Sequence, residues 1–327
     1  MPKRATKSRS RRGRRKALTS QAVEAAISPL GMRLVETEEY RRFSKKHDTI
    51  HIENVDVKLV NEWKIERFQP DNYAPEEWTV WSFPDRGDWA THIGNYRGNW
   101  SPYIPRNLIE KYTRPGELVC DPMVGSGTTL VECRLLDRRG IGVDVNPDAA
   151  MVAMNRLDFQ YNQSLNDSEI RVFVGDARKL DRIGDETVDM VATHPPYAGI
   201  VSYSNSQVEG DLSSLSLSDF IPEIGLVASE CFRILKPQKY CAILIGDTRK
   251  HRHYIPISVG VLGKFLDAGF VLKEDIIKLQ HKTKGSRERW SGHKYDFYKI
   301  GHEHLYIFRK PDASEKLNDY KHSVKWW

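Results

Sequence analysis

The sequence lacks the features that mark several protein classes. It holds only 4 cysteines in 327 residues. Cys120, Cys133, Cys231 and Cys241 show neither CxxC pairing nor a zinc-ligand spacing. That excludes a disulfide framework and a zinc module, and it fits reduced core thiols in an intracellular protein. No apolar run approaches the roughly 20 residues of a membrane-crossing helix. No apolar stretch follows the basic N-terminal run, as a secretion signal would require. Internal repeats are missing, and so is a full GxGxxG, which removes the main support for a nicotinamide-dependent oxidoreductase.

Acidic residues are missing from residues 1–16, which carry nine Lys and Arg. The net charge of +6 is therefore misleading: without those nine, the remainder stands at −3. Residues 1–19 read as a basic disordered tail. Such a tail attracts phosphates without reading sequence, or serves only solubility or targeting.

What is present is regular. Residues 20–90 form an N-terminal extension, with a short helix expected over Ser20–Ile27. Residues 48–68 alternate apolar and polar through Ile50, Ile52, Val55, Val57 and Leu59, which predicts extended structure. Residues 69–100 read as irregular, packed down by Trp78, Trp81, Trp89 and Trp100. From Pro105 the periodicity predicts a helix ending at Tyr112, then strand 118–121, helix 127–136, strand 140–145, helix 148–157, strand 172–175 and strand 188–193. Helix 219–235, strand 240–245, helix 256–268 and strands 271–279 and 304–308 complete the series. Alternating strands and helices predict an α/β, doubly wound, mostly parallel sheet with helices on both faces, and the last two strands predict a C-terminal antiparallel hairpin.

Asp121-Pro-Met-Val-Gly-Ser-Gly-Thr-Thr129 turns a predicted strand into a helix. Gly125 and Gly127 there let a ligand approach the backbone closely, or serve tight strand–helix packing alone. Asp144 ends the next strand, 23 residues after Asp121, near the ~20-residue spacing of a ribose-binding carboxylate. Helix capping is its other role, since Asn146-Pro147 follows. Asp176 ends the third strand, placed to accept from an adenine amino group or to sit solvated in a turn. In open α/β sheets the ligand crevice lies at these strand ends.

Thr193-His-Pro-Pro-Tyr197 ends another apolar strand. An exocyclic amino nitrogen is a poor nucleophile, because its lone pair is delocalised into the ring. Acceptors aimed at its hydrogens draw it towards tetrahedral geometry. Pro195 constrains a backbone carbonyl for that task, His194 offers a second acceptor or a packed turn residue, and Tyr197 offers a stacking ring.

At these two segments the chain resembles the amino-directed DNA methyltransferases, which use S-adenosylmethionine to modify N4 of cytosine or N6 of adenine. Ser101-Pro-Tyr-Ile-Pro105 resembles the element preceding their cofactor loop, and the likeness covers roughly residues 90–310. It implies a seven-stranded sheet of the methyltransferase type and a catalytic domain over 91–310, with a C-terminal tail over 311–327. For catalysis it implies Thr193, His194, Pro195, Pro196 and Tyr197. For the cofactor it implies Tyr103, Pro105, Asp121, Pro122, Met123, Gly125, Ser126, Gly127, Thr128, Thr129, Asp144, Val145, Asp176 and Ala177. It also implies double-stranded DNA with base flipping, a companion restriction endonuclease and a cytoplasmic location in a prokaryotic or viral-host cell.

His194 departs from the usual Asp, Asn or Ser. Thr193 favours the cytosine-N4 form, with adenine-N6, an RNA base and a catalytically weak binder as alternatives. No Pro-Cys pair is present, which argues against carbon-5 cytosine methylation. Two insertions, 198–216 and 280–299, are the candidate nucleic-acid contacts. Tyr203, Lys282, Lys284, Arg287, Arg289 and Trp290 supply their charge and aromatic surface, and Arg249 and Lys250, after the fifth strand, add charge on the same sheet edge.

Overall fold

Alternate residues of the central strands face opposite cores, as a sheet covered on both sides requires. Cys120, Val191, Cys241, Ile243, Tyr306 and Phe308 face one core. Val119, Met190, Ala192, Ala242, Leu244, Leu305 and Ile307 face another. This computed structural model describes residues 31–325 apart from 53–54, 97, 162–168, 198–207 and 282–295. The expected basic tail and the Ser20–Ile27 helix lie outside the described residues.

The elements run β1 (Arg33–Leu34), α1 (Thr37–Ser44), β2 (Thr49–Ile52), β3 (Val55–Lys58), β4 (Val80–Ser82), α2 (Tyr103–Tyr112), β5 (Leu118–Asp121) and α3 (Thr128–Leu135). Then come β6 (Arg139–Asp144), α4 (Pro147–Leu157), β7 (Ile170–Val174), β8 (Val188–Thr193), α5 (Leu217–Ile234) and β9 (Leu235–Ile245). The hairpin β10 (Thr248–Lys250) and β11 (His253–Ile255) precedes α6 (Ile257–Asp267), β12 (Val271–Leu279) and β13 (His302–Arg309).

The main sheet has nine strands in the order β1-β7-β6-β5-β8-β9-β13-β12-β4. The expected seven are its inner members, and two short edge strands correct the count. β1 pairs antiparallel with β7 and β4 pairs parallel with β12. Both edges come from the N-terminal extension, outside the predicted strand series; two- and three-residue strands carry no readable period. β12 and β13 form the antiparallel hairpin. Trp81, Trp89 and Trp100 are buried as expected, whereas Trp78 is 79% exposed.

The chain order reverses around β5. It continues outwards through β6 and β7 on one side, then returns to β8 and β9 on the other. That switch point opens a crevice at the carboxyl ends of β5 and β8.

Candidate active site

Asp121 ends β5 inside this crevice. Its carboxylate accepts from Thr129 Oγ1 at 2.5 Å, from Thr193 Oγ1 at 2.8 Å and from Met123 N at 3.2 Å. One buried acid therefore ties the glycine loop, the start of α3 and the end of β8 together. Burial raises it to about 6, against those three hydrogen bonds. Gly127 takes φ +83° at the helix entrance, packed on Ala153. Gly125 N donates to Asp144 Oδ2 at 2.9 Å, and Asn146 N donates to Oδ1 at 2.9 Å. Asp144 thus braces the glycine loop from the neighbouring strand, while the side chain of Asn146 caps α4. Burial raises Asp144 to about 6 as well, with Asp121 and Asp211 adding repulsion. Asp176 is buried and paired with Arg178, whose Nε donates to Oδ1 at 2.9 Å.

These elements enclose a cleft of about 880 Å³, counted to its open mouth. Ten of the residues expected for cofactor binding lie on its wall: Asp121, Pro122, Met123, Gly125, Ser126, Thr128, Asp144, Val145, Asp176 and Ala177. Four do not. Tyr103 opens α2 and stacks on Phe83 at 5.3 Å and against Trp89 at 4.7 Å. Pro105 is buried inside the same helix. The helix turns both inwards, and the segment before it, Tyr96 and Gly98 to Trp100, reaches the cleft instead. Gly127 and Thr129 serve packing and the Asp121 tie. Sequence reasoning missed Tyr96, Gly98, Asn99, Trp100, Val124, Asn146, Gly210, Asp211 and Leu212 on the wall. Their segments have no periodicity, and loops crossing strand ends are where such contacts arise.

The segment expected to be catalytic divides. Thr193 is fully buried on Asp121. His194, Pro195 and Pro196 line the cleft. The His194 ring lies 6.0 Å from that of Trp100 at 22°. Tyr197 lies off the cleft wall, its ring against Gly246, where a Cβ would fall 3.1 Å from the hydroxyl. That hydroxyl meets His194 Nε2 at 3.0 Å and donates to Glu303 Oε1. Glu303 in turn accepts from Lys278 Nζ at 2.8 Å. Burial alone would raise Glu303, but Lys278, His194 and hydrogen bonds from Lys278 and Tyr197 hold it below the usual carboxylate range. Burial drives His194 down to about 4, so its ring is neutral at pH 7.

These states fix the protons. An ionised Glu303 only accepts, so Tyr197 donates to it; Nε2–H of His194 then donates to Tyr197, and Nδ1 keeps the lone pair. Nδ1 is buried without a hydrogen bond among the described residues. The Gly98 backbone lies close to the ring and favours its protonated form, against the larger effect of burial. Glu303 went unseen in the sequence because the predicted strand began at His304. Its parity with Leu305 and Ile307 was the available signal.

Among the nucleic-acid candidates, Tyr203, Lys282, Lys284, Arg287, Arg289 and Trp290 lie outside the described residues. Arg249 is engaged within the protein: Nη2 donates to the Tyr298 carbonyl at 2.9 Å, and the guanidinium lies 4.8 Å from the Phe297 ring centre. Lys250 is exposed beside the β10–β11 turn. No helix among the described residues is long and apolar enough to cross a membrane.

Comparison with known proteins adds a family. The model of a family described as DNA methylase matches residues 21–155 and 188–325. The chain is 28% identical over 117 residues to the type II methyltransferase M.Cfr9I of Citrobacter freundii, covering 36% of this chain and 38% of that protein. It is 34% identical over 115 residues to a tRNA (guanine(10)-N2)-dimethyltransferase of Methanothermobacter thermautotrophicus, covering 35% and 32%. The chain thus spans well under half the length of these curated relatives. Among solved structures it is similar to a DNA modification methylase from Thermus thermophilus complexed with S-adenosyl-L-methionine. That likeness has 25% identity and a TM-score of 0.32 over 43% of this chain and 55% of that one.

Proposed function

Because the chain belongs to this N6/N4 DNA methylase family, we propose that it moves a methyl group from S-adenosylmethionine to the exocyclic amino group of a flipped base in DNA, N4 of cytosine being the favoured target. One observation carries the reading: Asp121 joins the glycine loop to the His194-Pro195-Pro196 wall, so a nucleoside cleft and amino-group acceptors share one cavity.

The residues fit the cofactor. Asp144 offers a carboxylate to ribose hydroxyls, and Asp176 offers one to the adenine amino group. The cofactor supplies a methyl group on a positively charged sulfur, ready for direct displacement. The protein's part is position and electrostatics. The Pro195 carbonyl and His194 Nδ1 accept from the target amino group of the extruded base, and Tyr197, off the cleft wall, holds the His194 ring through its hydroxyl.

Methyl transfer from tritiated cofactor to duplex DNA and to tRNA, with mass spectrometry of the digested nucleosides, tests this. N4-methylcytosine from DNA is the expected product. N6-methyladenine from DNA corrects the base, and label in tRNA alone replaces the polymer. The tRNA methyltransferase relatives make RNA the second reading. No transfer to either refutes both.

A further inference from the structure

The hairpin β10–β11 leaves the carboxyl end of β9. Because β8 and β9 run parallel, that is the sheet edge that carries the cleft. Gly246, against which the Tyr197 ring packs, stands two residues before β10. Asp247 then fastens the hairpin at both ends. It accepts from the Tyr254 hydroxyl on β11, and from Ser258 N at 2.7 Å and Ser258 Oγ at 2.8 Å in α6. Arg249 braces the ribbon from within. Its Nη1 donates to the Arg252 carbonyl at 3.2 Å and its Nη2 to the Tyr298 carbonyl at 2.9 Å. Its guanidinium lies 5.6 Å from the Tyr254 ring centre and 4.8 Å from that of Phe297.

The tip of this braced ribbon is strained. His251 and Arg252 take φ +49° and +70° between the paired Lys250 and His253. Asn-Gly is the usual pair where a two-residue turn needs both central residues left-handed, since bulkier side chains are disfavoured there. Strain held at a rigid tip points to a function for its side chains. Lys250 to Tyr254 are five successive exposed residues: two cations, two histidines and an aromatic, with no acid. Arg252 faces Asp296 at 3.6 Å, with the two side chains 60% and 74% exposed. An exposed pair of that kind is worth little and yields readily to another anion. The cleft wall, by contrast, carries Asp121, Asp144, Asp176 and Asp211 and, among the described residues, no Lys or Arg. A polyanion whose base enters that cleft needs cations at the rim, and a two-stranded ribbon is narrow enough for the major groove of a duplex.

We propose that β10–β11 is a duplex clamp: Lys250 and Arg252 hold backbone phosphates of the DNA beside the extruded base, and Arg249 is the brace that keeps them in place rather than a contact. The assignment rests on the DNA methyltransferase reading above. It lays the flanking duplex over the end of β9, next to Tyr197.

Fluorescence anisotropy of a labelled mixed-sequence DNA duplex, titrated with the full chain at several salt concentrations, tests it. The first variant, Lys250→Gln with Arg252→Gln, removes two phosphate contacts. Its slope of log affinity against log salt is expected to be shallower by about 1.8, with duplex affinity at ~0.1 M salt lower by on the order of tenfold or more. Its affinity for S-adenosylhomocysteine stays within about twofold, as for a distant site. The basic N-terminal run is common to all the proteins compared and cancels from the differences. The second variant, His251→Asn with Arg252→Gly, keeps the turn, relieves its backbone and removes the tip side chains. Its thermal midpoint is expected to rise by about 2–4 °C, while its salt slope becomes shallower by about 0.9. Unchanged slopes, or a loss seen on an RNA duplex and not on DNA, overturn the clamp. Should the first variant not fold, the second decides alone, since unchanged duplex binding in it overturns the clamp. Methyl transfer to DNA by the unmodified chain, with unchanged slopes in the variants, keeps the methyltransferase reading and removes only the clamp. If the unmodified chain neither binds duplex DNA nor methylates it, both fall.

Discussion

Asp144 meets opposing demands: burial favours its neutral form, and a ribose hydroxyl calls for the carboxylate. Its folded value of about 6 lies above the ordinary 3.8. Protonation therefore favours the fold, and ionisation lowers stability as pH rises through roughly 4 to 6. Cofactor binding runs the other way. Affinity for S-adenosylhomocysteine is expected to fall by up to about tenfold per pH unit below pH 6 and to be flat above it. Asp144→Asn should weaken binding and flatten that profile, and calorimetry between pH 5 and 8 reads both. On the proposed reading, Glu303 is a positioning residue acting through Tyr197 and His194. Glu303→Gln can donate to the Tyr197 oxygen, which frees that hydroxyl to donate to His194. The expected result is a shift of the His194 tautomer seen in ¹⁵N NMR. Methyl transfer should slow by on the order of ten- to a hundredfold with cofactor affinity unchanged. An unaltered tautomer would refute the proton assignment.

At the level of elements, the glycine loop works because β5 delivers it to the switch point and α3 starts at once. Gly127 and Gly116 both take φ +83°, but only Gly127 is crowded, with a Cβ falling 3.1 Å from Ala153 Cβ. Both Ala variants bear a left-handed penalty of about 1–2 kcal/mol. Gly127→Ala should lose more, and the difference in thermal midpoint isolates the packing. Most central elements were legible, because buried strands and amphipathic helices write their periods into the sequence. β4 and β1 were not, since two or three residues carry no period. Tyr103 shows the limit in the site: its place beside the loop was readable, whereas its direction depended on where α2 began.

Across the molecule, the N-terminal extension is fastened to the main sheet by its two edge strands, and one buried acid adds a further tie. Glu132 accepts from Trp89 Nε1 at 2.7 Å, His92 Nε2 at 2.7 Å and Arg106 Nη1 at 2.9 Å. Removing it leaves Arg106 with one carboxylate, Glu110, 3.5 Å from its Nε and less buried. Glu132→Ala is expected to destabilise the protein by about 3–5 kcal/mol, with a lowered urea midpoint as the measurement. A loss below about 1 kcal/mol would show that the extension is held by its apolar contacts instead. The segment that follows it brings Tyr96, Asn99 and Trp100 to the cleft, and Arg86 of the extension donates to the Trp100 carbonyl.

The sequence by itself determined the α/β class, the inner strand series, the glycine loop and the Pro-Pro-Tyr segment. Each is a local pattern of period, turn residue or motif, readable within about a dozen neighbours. Tertiary structure alone decided that Asp121 joins the two motifs and that Glu303 sets the protons on Tyr197 and His194. Those pairings span tens to more than a hundred residues of chain. They arise because strand order, not sequence order, decides which buried charges meet.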